Sequence, residues 1–448
     1  MDAVVLDDVL VQLRAALERD DLAGAVSFIR SLQPADQADL VEGLSDDDQV
    51  AIFSHLRPAD SADLLEEMED EDAAALAELL PLASLADILN EMEVDEAADV
   101  LGDLSPKRAA EALREMEEPE EVIPLLQYAD DTAGGLMTPA IVTLRSEWRA
   151  QDALEELRRV APATDSVYYL FVTDEVGFLQ GVVGLRDLVV ALPETVIEAM
   201  MDPNVVSVPV TADQEDCART LSRYGFLALP VVDEEKRLVG VITADDLIEV
   251  AEDEATEDMY RMVGISGEER VFGPLRSSVL KRLPWLAINM VTLFVAITVV
   301  SAFEWLIAGM VALATFLPLV SGEGGNAGSQ TTTVIVRGMA LGEVDVRNGL
   351  RALAKELAAA AINGALIGIG TGVAIYLWKR EPVIALAAGL AMVLNFLVAA
   401  MAGVLVPLGL KLIRVDPALA SAAFVTAVTD TLGFLFFLGI ATLLIPWF

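Results

Sequence analysis

The chain has 448 residues, a mean hydropathy of +0.50 and a formal net charge of −42, too long for one domain and too apolar for a protein without a membrane part. Residues 1–269 carry 63 of the 71 acids and 17 of the 29 bases, whereas residues 270–448 carry 8 acids and 12 bases, so an anionic soluble part precedes a nearly neutral apolar part. That balance argues against nucleic acid or anionic lipid as partners and favours cations; one cysteine, Cys217, and one histidine, His55, exclude an intrachain disulfide and a His-based metal cluster.

The acidic start MDAVVLDDVL lacks the basic segment of a signal peptide, so the soluble part is expected to stay in the cytoplasm. Residues 1–130 repeat: Leu32, Leu56, Leu80 and Leu104 are spaced by 24, as are Leu44, Met68, Met92 and Met116, and Ala38, Ala62, Ala86 and Ala110. Units such as LRPADSADLLEEM and LSPKRAAEALREM open with proline near a helix start and continue with apolar residues at helical spacing. Stacked hairpins of this kind build an all-α superhelix with one apolar seam. The outer face, mostly Asp and Glu, reads as a solvated surface or as one that attracts hard divalent cations.

Residues 131–250 hold two copies of one module, since AGGLMTPAIVTL returns as AMMDPNVVSVPV with Met137 and Met201, and Pro139 and Pro203, 64 residues apart. Each copy continues as a helix, an apolar β-run, a glycine turn, a second β-run and a helix opened by RDL or DDL. This βαββα order resembles a tandem pair of CBS domains, and the resemblance implies a regulator that binds adenosine nucleotides or dimerises. On that resemblance Tyr169, Arg186, Asp187 and Phe226 lie where a nucleotide such as ATP would be held; Arg and Asp at a βα junction are also ordinary helix caps.

From Ala244 the run ADDLIEVAEDEATEDMYRMVG predicts one connecting helix within residues 244–270. Asp246, Glu249, Asp253, Glu257 and Tyr260 fall near one stripe, with Glu254 and Asp258 beside it. Carboxylates three and four residues apart repel by a few tenths of a kcal/mol per pair. A divalent cation reverses that sign, while the plainer reading is a solubilising helix.

Residues 271–448 contain five apolar stretches, about 284–303, 305–341 (interrupted), 351–377, 382–410 and 418–446, each long enough for a hydrocarbon core that takes about 20 helical residues. Lys281, Arg282, Arg337, Arg347, Arg351, Lys355, Lys411 and Arg414 fall on the proposed inner side and Lys379 and Arg380 on the outer, which puts the C-terminus outside. Gly364, Gly368 and Gly372 mark a close-packing face against a neighbouring helix or another subunit.

The second stretch is expected to break at PLVSGEGGNAGSQTTT (318–333), with Glu323 about 22 Å deep at 1.5 Å per residue and unwound polar backbone lining a wet cavity. Asp430, the one charge in FVTAVTDTLGFLFFLGIATLLIP, lies roughly 18 Å from the inner end of the last stretch. A carboxylate there costs at least ~3 kcal/mol on insertion scales. It implies a cation pathway, a proton relay or a hydrogen-bonded structural acid, and no basic residue sits at its depth.

In combination, the acidic repeat, the CBS pair entered through AGGLMTP, the helix ending EATEDMYRMVG, PLVSGEGGNAGSQ, VRGMALGEV and DPALASAAFVTAVTDTLGF resemble the MgtE magnesium channel family over nearly the whole chain. The resemblance implies a homodimeric Mg2+ channel of the inner membrane with five helices per subunit, closed by Mg2+ on its cytosolic domains. Carried over onto this sequence, Asp430 is the pore acid, and Asn326 belongs to the polar group that holds the ion's waters. Asp246, Glu249, Glu254, Glu257 and Asp258 match acids that bridge Mg2+ when the channel is closed, Asp95 and Asp99 match a pair in the repeat, and Glu215 matches an acid of the second CBS copy. Gly225 stands where the family often has Asp, which implies one regulatory ion lost or differently ligated; Ser329 stands where Asn is more usual and Glu323 where small or apolar residues are common, so Co2+, Mn2+ or another divalent ion stay open as cargo beside Mg2+. A secondary transporter coupling H+ or Na+ through Asp430 and Glu323, and a nucleotide-sensing scaffold, are the alternatives. No Walker loop, nucleophile elbow or His/Cys metal site points to an enzyme. The expected architecture is therefore multidomain: an all-α repeat, a CBS pair and a polytopic helical membrane domain of five spans.

Overall fold

The computed structural model describes residues 3–19, 21–139, 141–160, 168–265, 269, 271, 275–419 and 422–445, so residues 420, 421 and 446 of the last apolar stretch lie outside the described residues. The chain divides into two compact units, Met1–Val250 and Ala251–Phe448.

In the first unit the 24-residue period becomes helix pairs. Helices Pro34–Glu42, Pro58–Glu66, Leu82–Leu89 and Pro106–Glu115 alternate with Asp46–Phe53, Asp70–Leu79 and Val94–Asp103. Proline opens three of the first set, where a missing N–H leaves nothing unpaired. Ala38, Ala62 and Ala86 are buried, but Ala110 is exposed, because the final copy has no successor to cover it. Successive hairpins are also tied by caps. The backbone N–H groups of Glu69, Glu93, Ser105 and Glu117 donate to side-chain oxygens of Glu42, Glu66, Glu78 and Asn90, each 27 residues earlier, at 3.0, 2.9, 2.7 and 2.9 Å. Part of the acidic surface is thus a scaffold for the helix starts.

The two βαββα modules each form a three-stranded sheet. Thr143–Leu144 runs parallel to Tyr169–Thr173, which pairs antiparallel with Leu179–Gly184; Val208–Pro209, Ala228–Val232 and Leu238–Thr243 repeat the pattern. The leaders of the two copies are exchanged. Thr138 bridges Val241 of the second copy, and Asp202 bridges Val182 of the first. A Cβ on Gly240 would sit 2.4 Å from Met137 Sδ and one on Gly181 2.7 Å from Met201 Sδ, so both hairpins need glycine for the other copy's methionine to seat. One buried core runs from the helical repeat into the second module and includes Met137, Cys217, Leu229 and Ile242.

Among the described residues of the second unit four stretches are long and apolar enough to cross a membrane: Leu275–Ala302, Gly349–Lys379, Pro382–Leu412 and Pro417–Leu444. The expected interruption at 318–333 does not occur. Ala312–Ala340 is one continuous helix of 29 residues with Pro318 inside it, and the chain turns earlier, at Met310, after the short helix Glu304–Gly309. The physical reason is that hydrocarbon offers no partner for unwound peptide groups, and glycine in a helix gives close approach instead of a break. Gly324, Gly325 and Gly328 all lie on its buried face, and a Cβ on Gly403 of the Pro382–Leu412 helix would come 3.1 Å from Gly328 O.

The glycines at 364, 368 and 372 pack within the chain, against Pro382–Leu412. A Cβ on Gly368 would stand 2.5 Å from Gly389 O, whereas one on Gly370 meets nothing within 4 Å. Gly368→Ala must push two backbones apart and is expected to lower stability by about 1–3 kcal/mol. Gly370→Ala should be neutral. Thermal unfolding of the detergent-purified variants checks the pair, and equal melting would refute the close contact.

Candidate ion pathway and regulatory sites

The C-terminal helix Ala422–Leu444 presents Asp430, 7% exposed, to the glycine-rich helix, where the Ser321 hydroxyl donates to its Oδ1. Ser321 is two residues before Glu323, so the glycine-rich segment and the carboxylate meet at one level. The opposite face of the helix is uncovered and carries polar groups: Gly322, Asn326, Gln330, Thr333 and Arg337 are exposed beside Leu319 and Val334, and Glu323 is half-buried at its edge. A polar face on a membrane helix calls for water or a partner subunit. Because the segment is helical, any ligands it offers are side chains, Asn326 and Glu323, rather than freed carbonyls. Ser329 is half-buried beside that face.

Two residues here were not legible as site residues. Ser321 looked like part of a loop, and Asn395 is a single amide in the apolar helix Pro382–Leu412. Asn395 is fully buried, and its Nδ2 donates to Val320 O at 3.0 Å. A lone Asn in a long apolar helix was the available signal.

In the first unit Val94–Asp103 carries Asp95, Glu96 and Asp99, and the charge of Asp246, at the start of the connecting helix Ala244–Met262, reaches Asp95 and Glu96. Asp95 is 8% exposed, and its Oδ1 has no hydrogen-bond partner among the described residues. Burial, reinforced by the charge of Asp246, pushes its carboxyl up to about 7. Burial with Asp95 and Asp99 lifts Glu96 to about 9, and burial with Asp130 and Asp70 lifts Asp99 to about 8. Asp246 is raised too, mainly by burial, although it accepts bonds from Thr243 N at 3.1 Å and Thr243 Oγ1 at 2.6 Å. The structure therefore brings Asp95 and Asp246, 151 positions apart in sequence, into one electrostatic neighbourhood, together with Glu96, which the motif reading missed.

The remaining expected residues are dispersed. Glu249 is exposed and Glu254 and Asp258 half-buried along the connecting helix. Glu257 is paired with Arg261, which also pairs with Asp416 ahead of the C-terminal helix. Glu215 pairs with Arg219 at 2.9 Å. Gly225 has a structural role: with φ at 67° it ends the helix Gln214–Tyr224 in the left-handed region, its N–H donating to Leu221 O. Among the described residues no group of three or more His, Cys, Asp or Glu is gathered to hold a metal ion.

A cleft of about 250 Å³ lies between the modules, lined by Tyr169, Phe171, Asp202, Asn204, Tyr224 and Phe226 among others. Tyr224 stacks on Phe226 at 5.3 Å and 15°. Tyr169 and Phe226 are thus brought together as the CBS resemblance implies. Arg186 and Asp187 are exposed in the first turn of the helix Leu185–Val190 and are not among the residues lining this cleft.

The described residues thus define a membrane protein in which an acidic helical domain and two βαββα modules precede a helical domain with candidate membrane spans. Accordingly, a divalent cation transporter domain of the MgtE type matches residues 317–440, the MgtE intracellular N domain residues 32–131, and CBS domains residues 133–194 and 197–253. The chain is 38% identical over 328 residues to the magnesium transporter MgtE of Thermus thermophilus, covering 72% of each, and 34% identical over 331 residues to that of Enterococcus faecalis, covering 74% of this chain and 73% of that one. It is similar to a crystal structure of the cytosolic domain of the Mg2+ channel MgtE in complex with ATP, with TM-score 0.51 and 36% identity over 54% of this chain and 99% of that one. The chain belongs to the MgtE family, whose members are magnesium transporters, not enzymes.

Proposed function

We propose that this protein is a homodimeric, Mg2+-gated Mg2+ channel. The observation that carries the reading is Asp430, buried in an apolar helix and met, among the described residues, by a hydroxyl from a helix whose other face is uncovered and carries Asn326, Gln330, Thr333 and Arg337. Mg2+ dehydrates reluctantly and is held by one or two carboxylates plus retained waters. Two symmetry-related Asp430 side chains, with the Asn326 amide on the uncovered face of the adjacent helix, supply that chemistry. Ala312–Ala340 then acts as the fifth span: it is long enough, though its glycine, serine and threonine content keeps it from being strongly apolar. This topology places the soluble domains in the cytoplasm and the C-terminus outside the plasma membrane.

Gating follows from repulsion. At low Mg2+ the buried acids around Asp95 and Asp246 and those along the connecting helix oppose close packing; at high Mg2+ the ion bridges them and holds the pore shut. The Glu257, Arg261 and Asp416 chain gives that helix a route to the segment entering the Asp430 helix. In liposomes the channel reading predicts downhill Mg2+ flux that ignores an imposed proton or Na+ gradient. Uphill Mg2+ movement driven by either gradient would replace it with the coupled transporter, for which Glu323, two residues past Ser321, is the second carboxylate.

The cleft at Tyr169 and Phe226 is assigned to an adenine nucleotide, ATP, supported by the ATP complex of the similar cytosolic domain. Aromatic stacking is worth about 0.5–1.5 kcal/mol. Tyr169→Ala should accordingly weaken ATP binding up to about tenfold by calorimetry; unchanged affinity removes the cleft from consideration.

A further inference from the structure

Asn395 makes a hydrogen bond that the architecture does not require. Its Nδ2 donates to Val320 O, a carbonyl already within the intrahelical ladder of Ala312–Ala340, and its Oδ1 is buried with no partner among the described residues. Two helices are hollowed to admit it: a Cβ on Gly324 would lie 2.0 Å from Nδ2, and one on Gly433 2.7 Å. A leucine has the same branched shape and leaves no buried acceptor unsatisfied, so it would spare the desolvation cost of the unpaired Oδ1. A polar group kept under those terms calls for a reason outside packing.

The reason lies one residue along the chain. Val320 precedes Ser321, and Ser321 donates to Asp430. We propose that Asn395 is a positioning residue for the ion pathway: by holding the Val320 carbonyl it sets the turn that carries Ser321, and Ser321 sets the direction of the Asp430 carboxylate. The inference rests on the reading of Asp430 as the pore acid. Mg2+ demands near-octahedral geometry, so a carboxylate turned away from its waters loses discrimination against larger, more tolerant ions such as Ca2+.

The test uses the full-length protein in liposomes, reading Mg2+ and Ca2+ flux beside thermal unfolding, for Asn395→Leu, Ser321→Ala, the double variant and Asp430→Ala. Asn395→Leu should melt at or above the wild-type temperature while losing about tenfold in Mg2+ flux or in Mg2+ over Ca2+ preference. Ser321→Ala should match it, and the double variant should be no worse than either single one, because the two act in series. Wild-type flux and preference in folded Asn395→Leu, or multiplying effects in the double variant, overturn the proposal. Should leucine not fold, Asn395→Ala, which only removes atoms, carries the same comparison; loss of folded protein in both assigns Asn395 to architecture and equally overturns it. Full flux in Asp430→Ala defeats the pore reading itself, a result separable from every outcome at Asn395.

Discussion

Asp430→Ala is expected to lower Mg2+ flux by about a hundredfold or more, equivalent to roughly 3 kcal/mol, while leaving the protein folded or slightly more stable. The direction of the second effect follows from burial. The carboxylate is 7% exposed and has one hydroxyl partner, so removing it relieves a desolvated anion, whereas a structural acid would take stability with it. Flux measured with a Mg2+ dye, alongside thermal unfolding of the same preparation, reads both signs. Conduction at the wild-type level would exclude Asp430 from the pathway, and a large fall in melting temperature would make it architectural.

The paired substitution Asp95→Asn with Asp246→Asn is expected to act oppositely with and without Mg2+. In metal-free buffer the variant should be the more stable, since two amides replace acids whose ionised forms are disfavoured by burial and by each other. With Mg2+ the wild type should gain and the variant should not. A ligand at a hundred times its Kd stabilises the state it binds by about 2.7 kcal/mol, a shift of roughly 5–10 °C for a domain of 150–250 residues. The variant channel should also stay open at Mg2+ concentrations that close the wild type. A full Mg2+-dependent shift in the variant, or lower stability without metal, would remove this pair from the gate.

The helical repeat was legible because each hairpin buries the same positions, so Leu44, Met68, Met92 and Met116 recur at one spacing and all enter the core. The βαββα modules were legible for a similar reason, as apolar β-runs bounded by glycine turns. Their exchange of leaders was not, because nothing in AGGLMTP says that Met137 seats on Gly240 of the other copy. The helical break expected at 318–333 came from treating glycine as it behaves in water. In the membrane the backbone must satisfy itself, and the same glycines become contact surfaces for the Asn395 amide and Val425.

By itself the sequence determined what depends on local order and on transfer between water and oil: where charge gives way to apolar spans, which helices repeat, and that one span carries an acid without a basic partner. Only the tertiary structure decided which distant groups share a dielectric environment. It set Asp95 beside Asp246, Ser321 against Asp430, and Asn395 between two glycines. Such proximities are absent from periodicity, because burial and Coulomb energy depend on distance in space and no spacing along the chain encodes it.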